Sequence, residues 1–412
     1  MSNALPTSWS ATNLGEMCKF SGGSAFKEIY QGNANGDYPF IKVSDMNLSG
    51  NEKLITSSNN WIDQSILKEA KAKTFPKNSV VFAKVGAALL LNRRRILTRD
   101  TVIDNNMMAA MPFADDNHFL YFLLQDIDFG TFVQSGAVPS INQSQLEDIP
   151  VLVPPLPEQQ KIASILTAVD DVIESTQVQI NKLKNLKTGM MQELLTKGIG
   201  HTEFKGSLVG RIPKAWEVKQ LGQLAKLERG RFSQRPRNDP AFYGGTIPFL
   251  QTGDVPKDSP YISTFTQTLN EKGLSVSKLF KQGTLVITIA ATIGEIGMLK
   301  FNSCFPDSLV GIIVDEAVAD RSFLLYSMRS RKYDLESLAP QTAQKNINLE
   351  ILNSFMLATP TLIEQQLIGK SMEAIDQKIE VATQKYIHFS SIKKALMQDL
   401  LTGKVRVKVA SQ

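Results

Sequence analysis

Cysteine is nearly absent from this chain of 412 residues, with only Cys18 and Cys304, one in each half. Two distant thiols make neither a disulfide framework nor a cysteine-rich zinc site, so a reducing, cytoplasmic setting is expected. Histidine is as scarce: His118, His201 and His388 lie in separate segments. Surface or internally satisfied imidazoles are expected there, not a metal centre. No stretch has the long uncharged apolar run of a membrane helix. "MSNALPTSWS" has no basic region followed by an apolar one, so no secretory signal is expected.

Catalytic signatures are missing too. There is no phosphate loop, since Gly403-Lys404 lacks the upstream glycine, and no H-E-x-x-H, C-x-x-C or G-x-S-x-G occurs. The glycine-rich "ATIGEIG" (291–297) lacks G-x-G-x-x-G spacing and reads as a turn between strands. A methyltransferase-like Asn-Pro-Pro-aromatic signature is absent as well. The chain reads as a binder. Its formal charge of +5 permits nucleic-acid binding without demanding it. With 42% hydrophobic and 21% charged residues it fits a soluble globular protein, and its length calls for two or more domains.

What the chain does have is a repeat. "EQQKIASILTAVDDVIE" at Glu158 returns as "EQQLIGKSMEAIDQKIE" at Glu364. The echo continues elsewhere: "LPTSW" (5–9) with "IPKAW" (212–216), "YPFIKVSDM" (38–46) with "IPFLQTGDV" (247–255), and "FPKNSVVFAK" (75–84) with "FKQGTLVITI" (280–289). "SINQSQLEDIPVLVPPLPEQQKI" (140–162) pairs with "NINLEILNSFMLATPTLIEQQLI" (346–368), and "LLTKG" (194–198) with "LLTGK" (400–404). The chain is two tandem copies of a unit of about 200 residues. Each copy is a globular block followed by a helix.

The blocks read as mixed α and β. "SVVFAKV", "GTLVITIA" and "LVGIIV" suit strands, while "FLYFLLQDI" and "RSFLLYSMRS" suit a helix in each copy. In the first long helix Ile162, Ile165, Val169, Ile173, Thr176, Ile180, Leu183, Met190 and Leu194 follow steps of three and four, with Lys187 in the remaining slot. Met372, Ile375, Ile379, Ala382, Tyr386, Phe389, Leu396 and Leu400 match them in the second. Such spacing over five heptads predicts a coiled-coil seam. Each helix would be about 58 Å long, longer than a compact block of its domain's size. The second block starts soon after the first helix ends, so the helices are expected to pair antiparallel, with pseudo-two-fold symmetry. The expected division is 1–156 first block, 157–198 first helix, 199–211 linker, 212–361 second block, 362–403 second helix and 404–412 tail.

Candidate contacts to nucleic acid are the basic and amide-bearing loops. "LNRRRILTR" offers Arg93, Arg94, Arg95 and Arg99 in or beside a hairpin turn, with Asn105 and Asn106 after it; "ERGRFSQRPRN" offers Arg229, Arg231, Arg235 and Arg237. Arginine neutralises phosphate and reads guanine, while Asn and Gln pair with adenine. Gln251 and the loops before the long helices add Ser140, Asn142, Gln143, Gln344, Lys345 and Asn346. Plain solvated loops, and for the last group a capped connection, explain these residues about as well.

The order Pro-x-x-Trp, variable block, "PPLPEQQKIASIL", long helix, "LLTKG", the linker phrase "HTEFKGSLVGRIPKAWEV", then all of it again, resembles the specificity subunit of Type I restriction–modification systems. The resemblance covers essentially the whole chain; the second copy departs only in writing "TPTLIEQQ" for "PPLPEQQ". It implies an α+β fold of two target recognition domains, each reading half of a bipartite double-stranded DNA site. The paired helices would space the half-sites, up to about 17 base pairs for a helix of this length, and dock modification subunits. Restriction subunits would join for cleavage. S-adenosylmethionine, ATP and Mg would sit only on those partners, and no catalytic residue is expected here. Because the copies have diverged ("LNRRRIL" against "GEIGMLK"), the target should be asymmetric. A homodimer of the isolated chain stays open.

Two other classes remain at this level. One is a coiled-coil scaffold whose end domains bind proteins, without DNA specificity. The other is a self-contained methyltransferase or nuclease, which predicts turnover by the isolated chain.

Overall fold

In the computed structural model, residues 8–133, 138–234, 236–290, 292–339 and 346–409 are described. The chain forms two compact units. One takes the residues up to Thr176 together with those from Lys385 on; the other is Gln177–Gln384. Each unit therefore holds one globular domain, the first part of its own long helix and the last part of the other.

In the first unit a five-stranded sheet runs in the order Cys18–Gly22, Met107–Pro112, Val80–Ala83, Arg94–Leu97, Leu54–Ile55. A four-stranded sheet has Trp61–Ile62, Tyr38–Ile41, Thr101–Ile103 and Thr74–Phe75. The second unit repeats both, with Ala225–Arg229, Leu309–Val314, Leu285–Thr288, Ile296–Leu299, Tyr261–Ile262 and with Gln267–Leu269, Tyr243–Phe249, Ser303–Cys304, Leu279–Phe280. The β-branched runs are covered on both faces and so read as continuous apolar stretches: all four residues of Val80–Ala83 and of Leu285–Thr288 are buried. A helix in each domain, Asn117–Asp126 and Arg321–Ser330, is capped by an aspartate. Asp116 accepts from the Phe119 amide and Asp320 from the Phe323 amide, both at 2.8 Å. The linker folds as a hairpin, Phe204–Ser207 against Gly210–Pro213.

The long helices run Leu156–Leu194 and Leu362–Leu400. Both stop a turn short of the expected glycines. Gly198 (φ +67°) and Gly403 (φ +70°) instead hold the left-handed position that ends the turn after each helix. Where the second helix lacks the first copy's prolines, the Thr361 hydroxyl accepts from the Glu364 amide at 3.4 Å.

The repeated Glu-Gln start is a fastening. In the first unit Glu158 accepts from Trp9 Nε1 at 3.1 Å and from Arg406 Nε and Nη2 at 2.7 and 2.8 Å. In the second, Glu364 accepts from Trp216 Nε1 at 3.2 Å and contacts His201 Nε2 at 2.9 Å. The following glutamines ground each domain on its helix. Gln159 Oε1 accepts from the Asp116 amide at 3.0 Å, and Gln365 Oε1 from the Asp320 amide at 2.9 Å.

Within the first unit, Ile162 and Leu166 share a core with Met397, Leu400 and Leu401, and Lys393 pairs with Asp170 at 2.7 Å. Within the second, Leu183 and Met190 join Met372 and Ile375, and Lys187 pairs with Asp376 at 2.6 Å. Asp170 and Asp376 occupy matching places in the repeat, as do Lys187 and Lys393. The heptad slot that lacked an apolar residue is a half-buried lysine in both helices, and each lysine is neutralised by the other helix's aspartate. No described helix is long and apolar enough to cross a membrane.

Candidate nucleic-acid interface

The arginine run of the first domain corrects the expectation for two of its members. Arg94 opens a strand rather than a turn and is 1% exposed. Its Nε donates to the Leu124 carbonyl at 3.1 Å and Nη2 to the Ile127 carbonyl at 3.3 Å. These are carbonyls at the C-terminal end of the helix Asn117–Asp126, where a cation offsets the helix dipole. The guanidinium lies 3.8 Å from the Phe129 ring centroid, and burial pushes its pKa down to about 9. Arg95 is also buried, donating to the carbonyls of Arg94 and Met46 at 2.8 and 3.0 Å. Both are turned inward onto backbone carbonyls rather than out toward solvent, and the Nε of Arg95 is buried without a hydrogen-bond partner among the described residues.

The other candidates of this domain lie at the surface or half-buried. Arg93 is exposed and bonds Asn47 Oδ1. Arg99 is exposed, 5.6 Å from the Trp61 ring. Asn105 and Asn106 form the exposed turn between Thr101–Ile103 and Met107–Pro112. Ser140 bridges to Val85. Asn142 is a helix N-cap, accepting from the Gln145 amide at 2.9 Å, and Gln143 beside it donates to Glu147 at 2.8 Å. Asn348 caps the matching helix of the second domain in the same way.

In the second domain Arg229 and Arg231 are exposed on either side of Gly230. A Cβ at that glycine would stand 2.3 Å from the carbonyls of Phe305 and Pro306, so only glycine lets the strand pass there. Arg231 Nη2 donates to the Ser277 carbonyl at 3.0 Å, and Arg237 grips Asp307 through both carboxylate oxygens at 2.8 and 2.9 Å. Asn346 is exposed and bridges to Ala290. Arg235, Gln344 and Lys345 lie outside the described residues.

Arg237 and Gln251 come together at the rim of a cleft of about 550 Å³. Phe232, Tyr243, Phe249 and Gln267 also line it, and none of these stands out in the sequence. Gln251 Nε2 donates to Gln267 Oε1 at 2.9 Å. The signal that could have found the pair is the match between Gln251 and Lys42. Both backbone amides donate to an aspartate three residues on at 2.7 Å, yet the side chains differ.

Of the expected seam residues, Ile162, Thr176, Ile180, Met372, Ile375, Ala382 and Leu400 are buried. Val169, Ile173, Leu183, Met190, Ile379, Tyr386, Phe389 and Leu396 are half-buried.

A family model described as "Type I restriction modification DNA specificity domain" matches the chain twice, at 6–185 and 213–388. A putative specificity subunit of the type I restriction enzyme MjaX from Methanocaldococcus jannaschii is 34% identical over 311 residues, covering 74% of this chain and 72% of the relative. The MjaVIII specificity subunit of the same organism is 27% identical, covering 98% and 94%. Among solved structures, the S subunit of a Type I restriction–modification system from M. genitalium aligns with a TM-score of 0.65 at 13% identity, covering 97% of both chains.

Proposed function

We propose that this chain, which belongs to the Type I restriction–modification DNA specificity family, is the subunit that chooses the DNA sequence for such a complex. In this role the chain is not itself the catalyst. Each target recognition domain reads one half of a bipartite double-stranded site. The observation that carries the reading is the matched pair Lys42 and Gln251. They sit on the same local frame in the two domains, but one offers an ammonium and the other an amide. Two copies of one scaffold with different hydrogen-bonding groups at one position suit two different half-sites. The exposed arginines Arg93, Arg99, Arg229 and Arg231 supply phosphate contacts in this reading, and Asn105, Asn106, Ser140, Gln143 and Asn346, on other loops, add polar groups.

The two long helices then form an antiparallel coiled coil, in keeping with the lysine–aspartate pairs and the shared cores inside each unit. A 39-residue helix, about 58 Å long, would serve as spacer and as the platform for modification subunits, with restriction subunits joining for cleavage. Exposed Leu186, Val381 and Ile387 are the residues for that docking. S-adenosylmethionine, ATP and Mg belong to those partners, and the complex works in the cytoplasm.

The test is to express the chain with its modification subunit and map methylation across the genome. An asymmetric motif of two parts with a constant gap is expected. A continuous or palindromic motif, or methylation independent of this chain, would contradict the reading.

A further inference from the structure

We infer that Asp170 and Asp376 are positioning residues: each holds its target recognition domain at one tilt on the long helices and so helps fix the gap between the half-sites. This rests on the DNA-recognition reading above. In the first unit three elements meet at Asp170. Its own helix carries it, Lys393 of the other helix pairs with it at 2.7 Å, and Lys53 of the domain pairs with it at 3.4 Å. Both ammonium groups lie against the Phe122 ring, 5.4 and 5.5 Å from its centroid. The joint is half-buried, with the Lys53 and Asp170 side chains 14% and 13% exposed, so salt screens it less than a surface pair.

The second unit keeps the joint and changes its chemistry. Pro260 stands where Lys53 does: each precedes an edge strand, Tyr261–Ile262 or Leu54–Ile55, and its carbonyl accepts from the neighbouring strand, from the Met298 or the Ile96 amide, at 2.9 Å. A proline has no cation to offer, and an open cleft of about 690 Å³ is lined by Pro260 and Asp376. Tyr326, in the place of Phe122, supplies the missing contact. Its hydroxyl donates to Asp376, and Lys187 pairs with the same carboxylate at 2.6 Å. Each aspartate thus takes one group from its domain and one lysine from the other helix. The domain's group is an ammonium in one copy and a phenol in the other. A loss at one place met by a gain at another marks the contact itself, rather than either residue, as what both domains need.

Its position gives it leverage. The joint lies twelve positions beyond the Glu158 or Glu364 fastening, about 18 Å along the helix. One fastening lets a domain pivot, and a second at that distance fixes its tilt. A domain of this size reaches about 30 Å from the helix. Tilting it by about 7° would move its tip by about 3.4 Å, the rise of one base pair.

Duplexes carrying the mapped half-sites with the correct gap, or with one base pair fewer or more, test this by their affinity for the full chain assembled with its modification subunits. Lys53→Met leaves Asp170 paired with Lys393, and Tyr326→Phe leaves Asp376 paired with Lys187, so neither strands a buried charge. Each variant should lower the preference for the correct gap on the order of tenfold, while each half-site is still preferred over a scrambled one. Adding Phe122→Tyr to Lys53→Met builds the second domain's joint in the first and should restore the preference. If both single variants keep the parent's gap preference, or lose the half-sites along with it, or the added hydroxyl restores nothing, the joint does not set the tilt. If the parent itself binds half-sites and scrambled duplex alike, the DNA-recognition reading falls, and this inference with it.

Discussion

Arg406 and Glu158, 248 positions apart in sequence, meet through two bonds of 2.7 and 2.8 Å. The carboxylate is almost fully buried and also takes the Trp9 indole proton. One acidic residue thus ties together the start of the first domain, the start of its helix and the segment after the other helix. His201 and Trp216 do the same for Glu364.

Arg406→Ala should therefore loosen the first unit, although the residue lies far from its domain in sequence. Differential scanning calorimetry should show a lower Tm for one transition, with the other unchanged. Glu158→Ala should lower it further, because it strands both the arginine and the indole N–H. An unaltered melting profile for both variants would show that the fastening contributes nothing.

The lysine–aspartate pair in the helix seam gives a double-mutant cycle. Lys187→Met leaves the buried Asp376 carboxylate with the Tyr326 hydroxyl as its one remaining hydrogen-bond partner among the described residues, a loss of about 3 kcal/mol. Lys187→Met combined with Asp376→Leu removes the stranded charge, and stability in urea should return close to the parent's. If the double variant is as weak as the sum of the singles, the two residues are not coupled.

Neighbouring arginines should behave in opposite ways. Arg94→Ala removes the donors that cover two helix-end carbonyls and opens space against Phe129, a loss of about 2–4 kcal/mol in chemical denaturation. Arg93→Ala, at the surface, should leave stability within about 0.5 kcal/mol. Equal effects would refute the burial argument.

Arg229→Ala and Arg231→Ala should weaken DNA binding across sequences alike. The slope of log K against log salt should become shallower by about 1 for each phosphate left without its arginine. A change confined to one base position would make them base readers instead.

The architecture is legible in the sequence because its causes are local. Heptad spacing, aspartate caps and covered strands leave periodic traces, and the same traces occur twice. Arg94 is misleading for the converse reason: what buries it is the end of a helix some thirty residues away, and a run of three arginines looks solvated until that helix is in place. Gln267 leaves no trace because its relation to Gln251 crosses two strands. Lys187 looks like a flaw in the seam, and only its aspartate partner explains it.

The split of the first unit also sets an order in time. Its last stretch, from Lys385 on, contains the residues that close it, whereas the second unit is one unbroken segment, Gln177–Gln384. A ribosome delivers the whole second unit before it has made the closing piece of the first. The domain translated earliest thus waits longest, with the core around Ile162 and Leu166 left incomplete until Met397 and Leu400 emerge. Nascent chains arrested before that point should engage chaperones through the N-terminal domain, and release should coincide with the last few turns of synthesis.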